Sequence, residues 1–232
     1  MRTRILILLL ISVSYSFGQN STDLKSHYEA FYKQMKAQGD VNGVIHALTH
    51  LNVLSPTVQR RDTLAYVYAN NNQHIQALNT IGIEKNEADS DLAVQVKAIS
   101  LKAINQPKRA LEQFEVLNQR SPNAYLAYEL ADLKIQTGDN EGAMANIEYA
   151  LSNLQEGMTY AFYERQQPYE VSLNAALLHL KGLVQYRMDP KNIEMAIATI
   201  DEALALDPNF NLASLSKQAL ESRIGTEEEE KK

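Results

Sequence analysis

The sequence predicts an all-α chain built as a solenoid of stacked antiparallel helix hairpins. The observations behind this are a 33-residue period, apolar side chains at fixed offsets within it, and turn residues between them. Val44, Ala77, Ala110 and Ala143 stand 33 residues apart. Each is followed directly by Ile45, Leu78, Leu111 or Met144, and four residues on by Leu48, Ile81, Phe114 or Ile147. Offsets of zero, one and four lie on one stripe of a helix, the stripe that must face a partner. Self-similarity at this period marks helix pairs that cannot bury an apolar face alone and do so by stacking.

The first helix of each pair is marked 12 residues earlier by Tyr32, Ala65, Ala98 and Ala131. The three alanines let two helices approach closely. Between the columns fall Gly39 with Asp40, Asn70 to Asn72, Asn105 to Pro107, and Gly138 with Asp139. Glycine and asparagine accept positive φ and proline cannot continue a helix, so each group breaks a hairpin. Ser55-Pro56 and Ser121-Pro122 break the chain between hairpins. A fifth pair follows, with Leu177, Leu180 and Gly182 in its first helix and Ala196, Ile197, Ile200 and Ala203 in its second, closed by Asp207-Pro208. Its extra residues fit in the 188–192 turn. The step from Ala143 to Ala196 is 53, and the surplus sits in 154–171. No stretch shows sustained strand alternation.

With 232 residues and 45% hydrophobic content the chain has ample material for a core. Its first residues differ in kind: Arg2 and Arg4 precede the apolar run Ile5 to Ile11, and Ser16-Phe17-Gly18 offers small residues at the positions a signal peptidase reads. This predicts a signal peptide over 1–18 and a mature chain beginning at Gln19. The apolar run is shorter than the roughly 20 residues that span a bilayer, so no stable membrane anchor is expected after cleavage. There is no cysteine, and so no site for lipid attachment at a mature N-terminus. The expected location is periplasmic or secreted. Loss of Arg2 and Arg4 takes the net charge from −6 to −8. An acidic chain without a basic run argues against nucleic acid or an anionic membrane surface as ligand. The end of the chain, 225–232, is a charged segment expected to be disordered.

No nucleophile elbow, phosphate loop or paired-carboxylate motif appears, and no enzyme activity or cofactor is expected. His46 and His50, four apart on one predicted helix, have a spacing that could meet a metal ion. No third ligand stands near, and Ile45 and Leu48 take the packing face, so no metal site is assigned.

These segments resemble tetratricopeptide repeats. The closest is 127–151, where Leu130, Ala131, Gly138-Asp139, Ala143, Ile147 and Ala150-Leu151 fall where that family's pattern places them. Ala203-Leu204 with Asp207-Pro208 is another ending typical of the family. The earlier units depart from the pattern: Glu84 takes the site of a late alanine and Lys97 that of an apolar residue. The resemblance implies a right-handed solenoid, with four repeats over 24–154, an insertion at 155–171, and a fifth repeat with a C-terminal helix over 172–220.

It also implies that the first helices line a concave groove, with exposed sites three before and one after the small column and another a turn later. Those sites are Glu29, Lys33 and Lys36, then Asp62 and Tyr66, then Gln95, Ile99 and Lys102, then Tyr128 and Asp132. Tyrosines and long polar side chains on a rigid wall suit an extended peptide. The lysine and asparagine pairing by which some members clamp a C-terminal carboxylate is missing. The implied role is an exported, non-enzymatic scaffold for a protein or peptide partner. The alternative is a self-associating structural component of the envelope, joined through the helix at 211–224. A rival site is the insertion, where Tyr160, Phe162, Tyr163 and Tyr169 cluster. It reads as a short extra helix with a loop packed over the array or closing its groove; otherwise the rings fill the gap left by the broken repeat.

Overall fold

The computed structural model describes the backbone of residues 21–230, with side chains described within 22–224. The expected signal peptide and the two terminal lysines lie outside the described residues. What is described is helical apart from one short hairpin, and it has the fold expected, an α-solenoid of antiparallel helix pairs. It divides into two compact units, one ending at Ile83 and the other beginning at Glu84. The first contains α1 (Ser21–Gln38), α2 (Val41–Leu54), α3 (Val58–Asn70) and α4 (His74–Ile81). The second contains α5 (Asp91–Ala103), α6 (Pro107–Arg120), α7 (Ala124–Thr137), α8 (Asn140–Ser152), strands β1 (Thr159–Phe162) and β2 (Tyr169–Ser172), then α9 (Leu173–Met188), α10 (Ile193–Leu206) and α11 (Asn211–Glu230). The four repeats of 24–154 therefore fall two in each unit.

One turn recurs in the first four pairs. Gly39, Asn72, Asn105 and Gly138 all have positive φ, at 70°, 57°, 58° and 88°. The amide after each reaches back five residues, from Asp40 to Met35 O, Gln73 to Tyr68 O, Gln106 to Leu101 O and Asp139 to Lys134 O, at 2.8–3.0 Å. The left-handed residue's own amide reaches back three, to Lys36, Ala69, Lys102 and Ile135. This double bond pattern satisfies the orphan carbonyls of the first helix and turns the chain sharply. The second helix then starts on a side-chain cap where one is present, Asp40 accepting from the Gly43 amide and Asp139 from the Gly142 amide.

The apolar columns meet inside each pair. Ala77, Ala110, Ala143 and Ala196 are fully buried, as are Ala65, Ala98 and Ala131 facing them. In the first unit Met35, Val44, Ile45, Leu48 and Leu64 form the core, with Tyr32 packed against it where later repeats carry alanine. In the fifth pair Gly182 is a contact point: a Cβ there would lie 2.6 Å from Ile200 Cγ1 and 2.9 Å from Ala196 O. Of the two departures from the repeat pattern, Lys97 turns its charge onto the loop that follows Glu84. Lys97 is buried, and its ammonium donates to the Glu84 carbonyl at 2.7 Å and to Asp89 Oδ2 at 2.5 Å. Arg120 binds the same loop through the carbonyls of Glu87 and Asp89.

Two expectations are corrected here. The insertion is a β-hairpin, with Thr159 opposite Ser172 and Phe162 opposite Tyr169, and no helix. Tyr160, Phe162, Tyr169 and Val171 share its inner face; Phe162 and Val171 join the core of the second unit, and Tyr160 and Tyr169 pack against it. Aromatic and β-branched residues favour a pleated, half-buried surface; Tyr169-Glu170-Val171-Ser172 alternates apolar and polar, but over four residues only, the shortest stretch that carries the signal. The C-terminal helix also continues to Glu230, into the segment expected to be disordered, because glutamates form helix well and Gly225 alone does not end it.

Gly138 adopts φ +88° with open space where a Cβ would stand, so the cost of a side chain there is conformational. Gly138→Ala is expected to lower stability by about 1 kcal/mol and Asn105→Gly to raise it by a few tenths. Denaturant unfolding of the two variants beside the parent measures both signs.

Candidate functional site

The residues expected on the groove separate into three groups. In the first unit Lys33, Lys36 and Tyr66 are exposed, and Glu29 pairs with Lys25 one turn away at 3.7 Å. Asp62 departs from expectation. It is 2% exposed, and Arg61 donates to it at 3.3 Å. His46 is exposed and His50 stacks on Tyr28 at 4.2 Å. Among the described residues no three His, Cys, Asp or Glu side chains gather as metal ligands.

In the second unit Gln95 and Ile99 line a depression of about 460 Å³ between α5 and α7, over α6. Tyr125 and Leu126 form its opposite wall, Phe114 and Leu117 its floor, and Glu129 one end. Ile99 and Tyr125 are 44% and 41% exposed and border the same depression. Asn123 caps α7 by accepting from the Leu126 amide, which fixes the wall.

The remaining groove residues are tied together beside the hairpin. Lys102 lies between Glu129 Oε2 at 2.5 Å and Asp132 Oδ2 at 3.0 Å. Burial alone would lower the Lys102 pKa, but the two carboxylates outweigh it and hold the ammonium above its usual range. Tyr160 donates to the other Glu129 oxygen at 2.7 Å. Burial first, and then the Glu129 carboxylate, push its hydroxyl pKa upward. Tyr128, expected to be exposed, is buried with its ring 4.2 Å from that of Tyr160, and burial raises its pKa too. Of the rival set, Phe162 is buried against Phe210, Tyr169 is half-buried and donates to Glu164, and Tyr163 stands 76% exposed. Hydrogen bonding to the Glu164 carboxylate adds to burial in raising Tyr169 to about 12.

Residues not singled out from the sequence complete the face: Tyr125, Leu126, Glu129 and His179. The offset that selects Tyr128 three before Ala131 also selects His179 three before Gly182. His179 is 5% exposed, its Nε2 lies 2.9 Å from Ser216 Oγ, and its Nδ1 has no hydrogen-bond partner. Burial depresses its pKa to about 4, against a smaller opposing pull from Asp132.

No protein-family model and no curated protein matches the chain. Among solved structures it is similar to YrrB, described as a TPR protein with an unusual peptide-binding site, at TM-score 0.63 and 16% identity over 82% of this chain and 90% of that one. It is also similar to MamA, at TM-score 0.60 and 14% identity over 79% and 92% of the respective chains. The chain thus has the tetratricopeptide-repeat fold.

The depressed His179 pKa fixes a pH dependence. The unfolded chain takes up this proton near pH 6.5 and the folded chain only near 4. Its contribution to stability is therefore complete above pH 6.5 and declines as the pH falls through that window, by about 3 kcal/mol in all. Between pH 7 and pH 4 His179→Gln is expected to lose less stability than the parent by that margin, measured as the difference between two denaturation series.

Proposed function

We propose that this protein is an exported, non-enzymatic interaction scaffold that binds a peptide segment of a protein partner in the depression between α5 and α7. The observation that carries the proposal is the pair Ile99 and Tyr125, half-exposed on facing walls over the apolar floor of Phe114 and Leu117. A slot of this kind takes an apolar side chain of the partner, while Gln95 and Asn123 at its margin offer hydrogen bonds to a peptide backbone. Likeness of fold to YrrB, whose description includes a peptide-binding site, supports a peptide as the ligand class. No helix among the described residues is long and apolar enough to cross a membrane. The N-terminal arginines and apolar run support export. Self-association is the second reading, favoured by Leu206 and Leu215, which are 49% and 52% exposed near the C-terminal end.

Selection from a displayed peptide library against the chain from Gln19 onward tests the slot. The selected peptides are expected to share a large apolar residue, and Ile99→Asp is expected to weaken them at least tenfold, about 1.4 kcal/mol, with unchanged thermal melting. Equal binding by Ile99→Asp would move the site elsewhere, and a chain that sizes as a dimer disrupted by Leu215→Glu would favour self-association. For export, N-terminal sequencing of the protein from a producing cell is expected to begin at Gln19; a start at Met1 refutes cleavage.

A further inference from the structure

The hairpin covers part of the first-helix face of the second unit, and the surface beneath it is unlike an ordinary core. A segment that only filled a gap would rest on apolar side chains, because burying charge or an unpaired polar atom is costly. Here Tyr160 lays its ring on Tyr128 and donates to Glu129, a carboxylate that Lys102 already holds. Phe162 packs on Phe210 at 5.0 Å between ring centres, and the opposite contact of Phe210 is His179 at 5.2 Å. His179 is itself more than nine-tenths buried and carries an unpartnered nitrogen.

The hairpin leads directly into α9, which Ser172 caps, but makes few other backbone contacts with the helices. Its strands pair only with each other. At its base the Leu173 amide donates to Met158 O, and the Ser172 amide and hydroxyl donate to Asp207. At its tip Arg165 donates to Asn211 at 2.6 Å. Between these anchors it is held by inward side chains of both strands, Tyr169 and Val171 on β2 and, two residues apart on β1, Tyr160 and Phe162, the latter pair inserted as the side chains of a bound extended segment are.

We propose that the hairpin is a strap held in cis over a second binding face, formed by Tyr128, Glu129, His179 and Phe210. That face takes an extended segment with aromatic side chains two residues apart, the first a tyrosine whose hydroxyl meets Glu129. The proposal does not rest on the slot between α5 and α7, although Glu129 borders both.

The test uses a labelled synthetic peptide with the sequence of residues 157–172 and a chain in which 159–170 is replaced by a Gly-Ser linker of equal length. The variant is expected to bind the peptide saturably, at least tenfold less well when the peptide tyrosine matching Tyr160 is phenylalanine. The full chain, whose own strap competes, is expected to bind it at least a hundredfold less well. A folded variant that does not bind overturns the proposal, as does equal binding of the phenylalanine peptide. If the variant does not fold, hydrogen exchange on the full chain decides. Amides of 159–162 and 169–172 are expected to open before those of α7 and α9, and at least tenfold faster in Tyr160→Phe; opening only with the helices overturns the proposal. Ile99→Asp leaves peptide binding intact, so loss of the slot and loss of the strap are told apart.

Discussion

The left-handed residue that ends the first helix of each pair sets the geometry on which the rest depends. Gly39, Asn72, Asn105 and Gly138 recur at the same interval as the apolar columns. The same pair of backbone bonds at each turn reverses the chain into the second helix. After these turns Ala77, Ala110 and Ala143, and before them Ala65, Ala98 and Ala131, are left with no accessible surface. Asparagine serves at two of the four turns because it tolerates this conformation better than other residues with a Cβ. The fifth pair has no such residue. Asp189 ends α9 with a negative φ, at φ −137° and ψ 84°, and the turn is longer. Close approach is restored there by Gly182, whose missing side chain leaves room for Ile200 and the Ala196 carbonyl. Where turn geometry is relaxed, a packing constraint takes over.

Between the fourth and fifth pairs the chain solves a different problem. A helix without a partner would expose its stripe, and the hairpin provides cover with few residues, because its two strands satisfy each other's backbone groups. Its inner face has only four large side chains, and these join the cluster around Phe210 and Leu177. The same arrangement keeps His179 neutral: with Phe210 edge-on and one ring nitrogen on Ser216, protonation would place a charge where water cannot reach.

Periodicity made the hairpin pairs, their turns and their cores legible, since each rests on local spacing repeated several times. The candidate site was legible only in part. Gln95 and Ile99 follow from position on a helix, and the structure places them on the slot. Tyr128 occupies the same kind of position, yet it is buried because Tyr160, far along the chain, lies on it. No offset within one repeat carries that information. Glu129 escaped notice for a related reason: its importance comes from Lys102 on one side and Tyr160 on the other, in two different elements. The aromatic density of the insertion was visible, but its secondary structure was not. His179 was within reach, because the rule applied to the first four repeats also selects it in the fifth.

The departures from the repeat pattern have a shared physical logic. Glu84 and Lys97 read separately as defects, a charge where a small or apolar residue belongs. In space only Lys97 has a structural role of this kind, its ammonium leaving the helix to hold the Glu84 main-chain carbonyl and the Asp89 carboxylate, while the Glu84 side chain stays exposed. The base of the hairpin is stitched down similarly, by Glu129 on the first strand and Asp207 on the second. The irregular segments are thus fixed in part by charged side chains of the repeats, beside whatever apolar packing they make. Such tethers are costly to break singly: removing one member of a buried pair such as Lys97–Asp89 strands the other, at about 3–5 kcal/mol, whereas replacing both with well-packed apolar groups is often neutral. The helical core should accordingly tolerate paired apolar replacement at these sites, while the loop at 84–90 would lose the contacts that fix its path. Charge here specifies where the irregular segments lie, and the apolar columns specify that the helices pack at all.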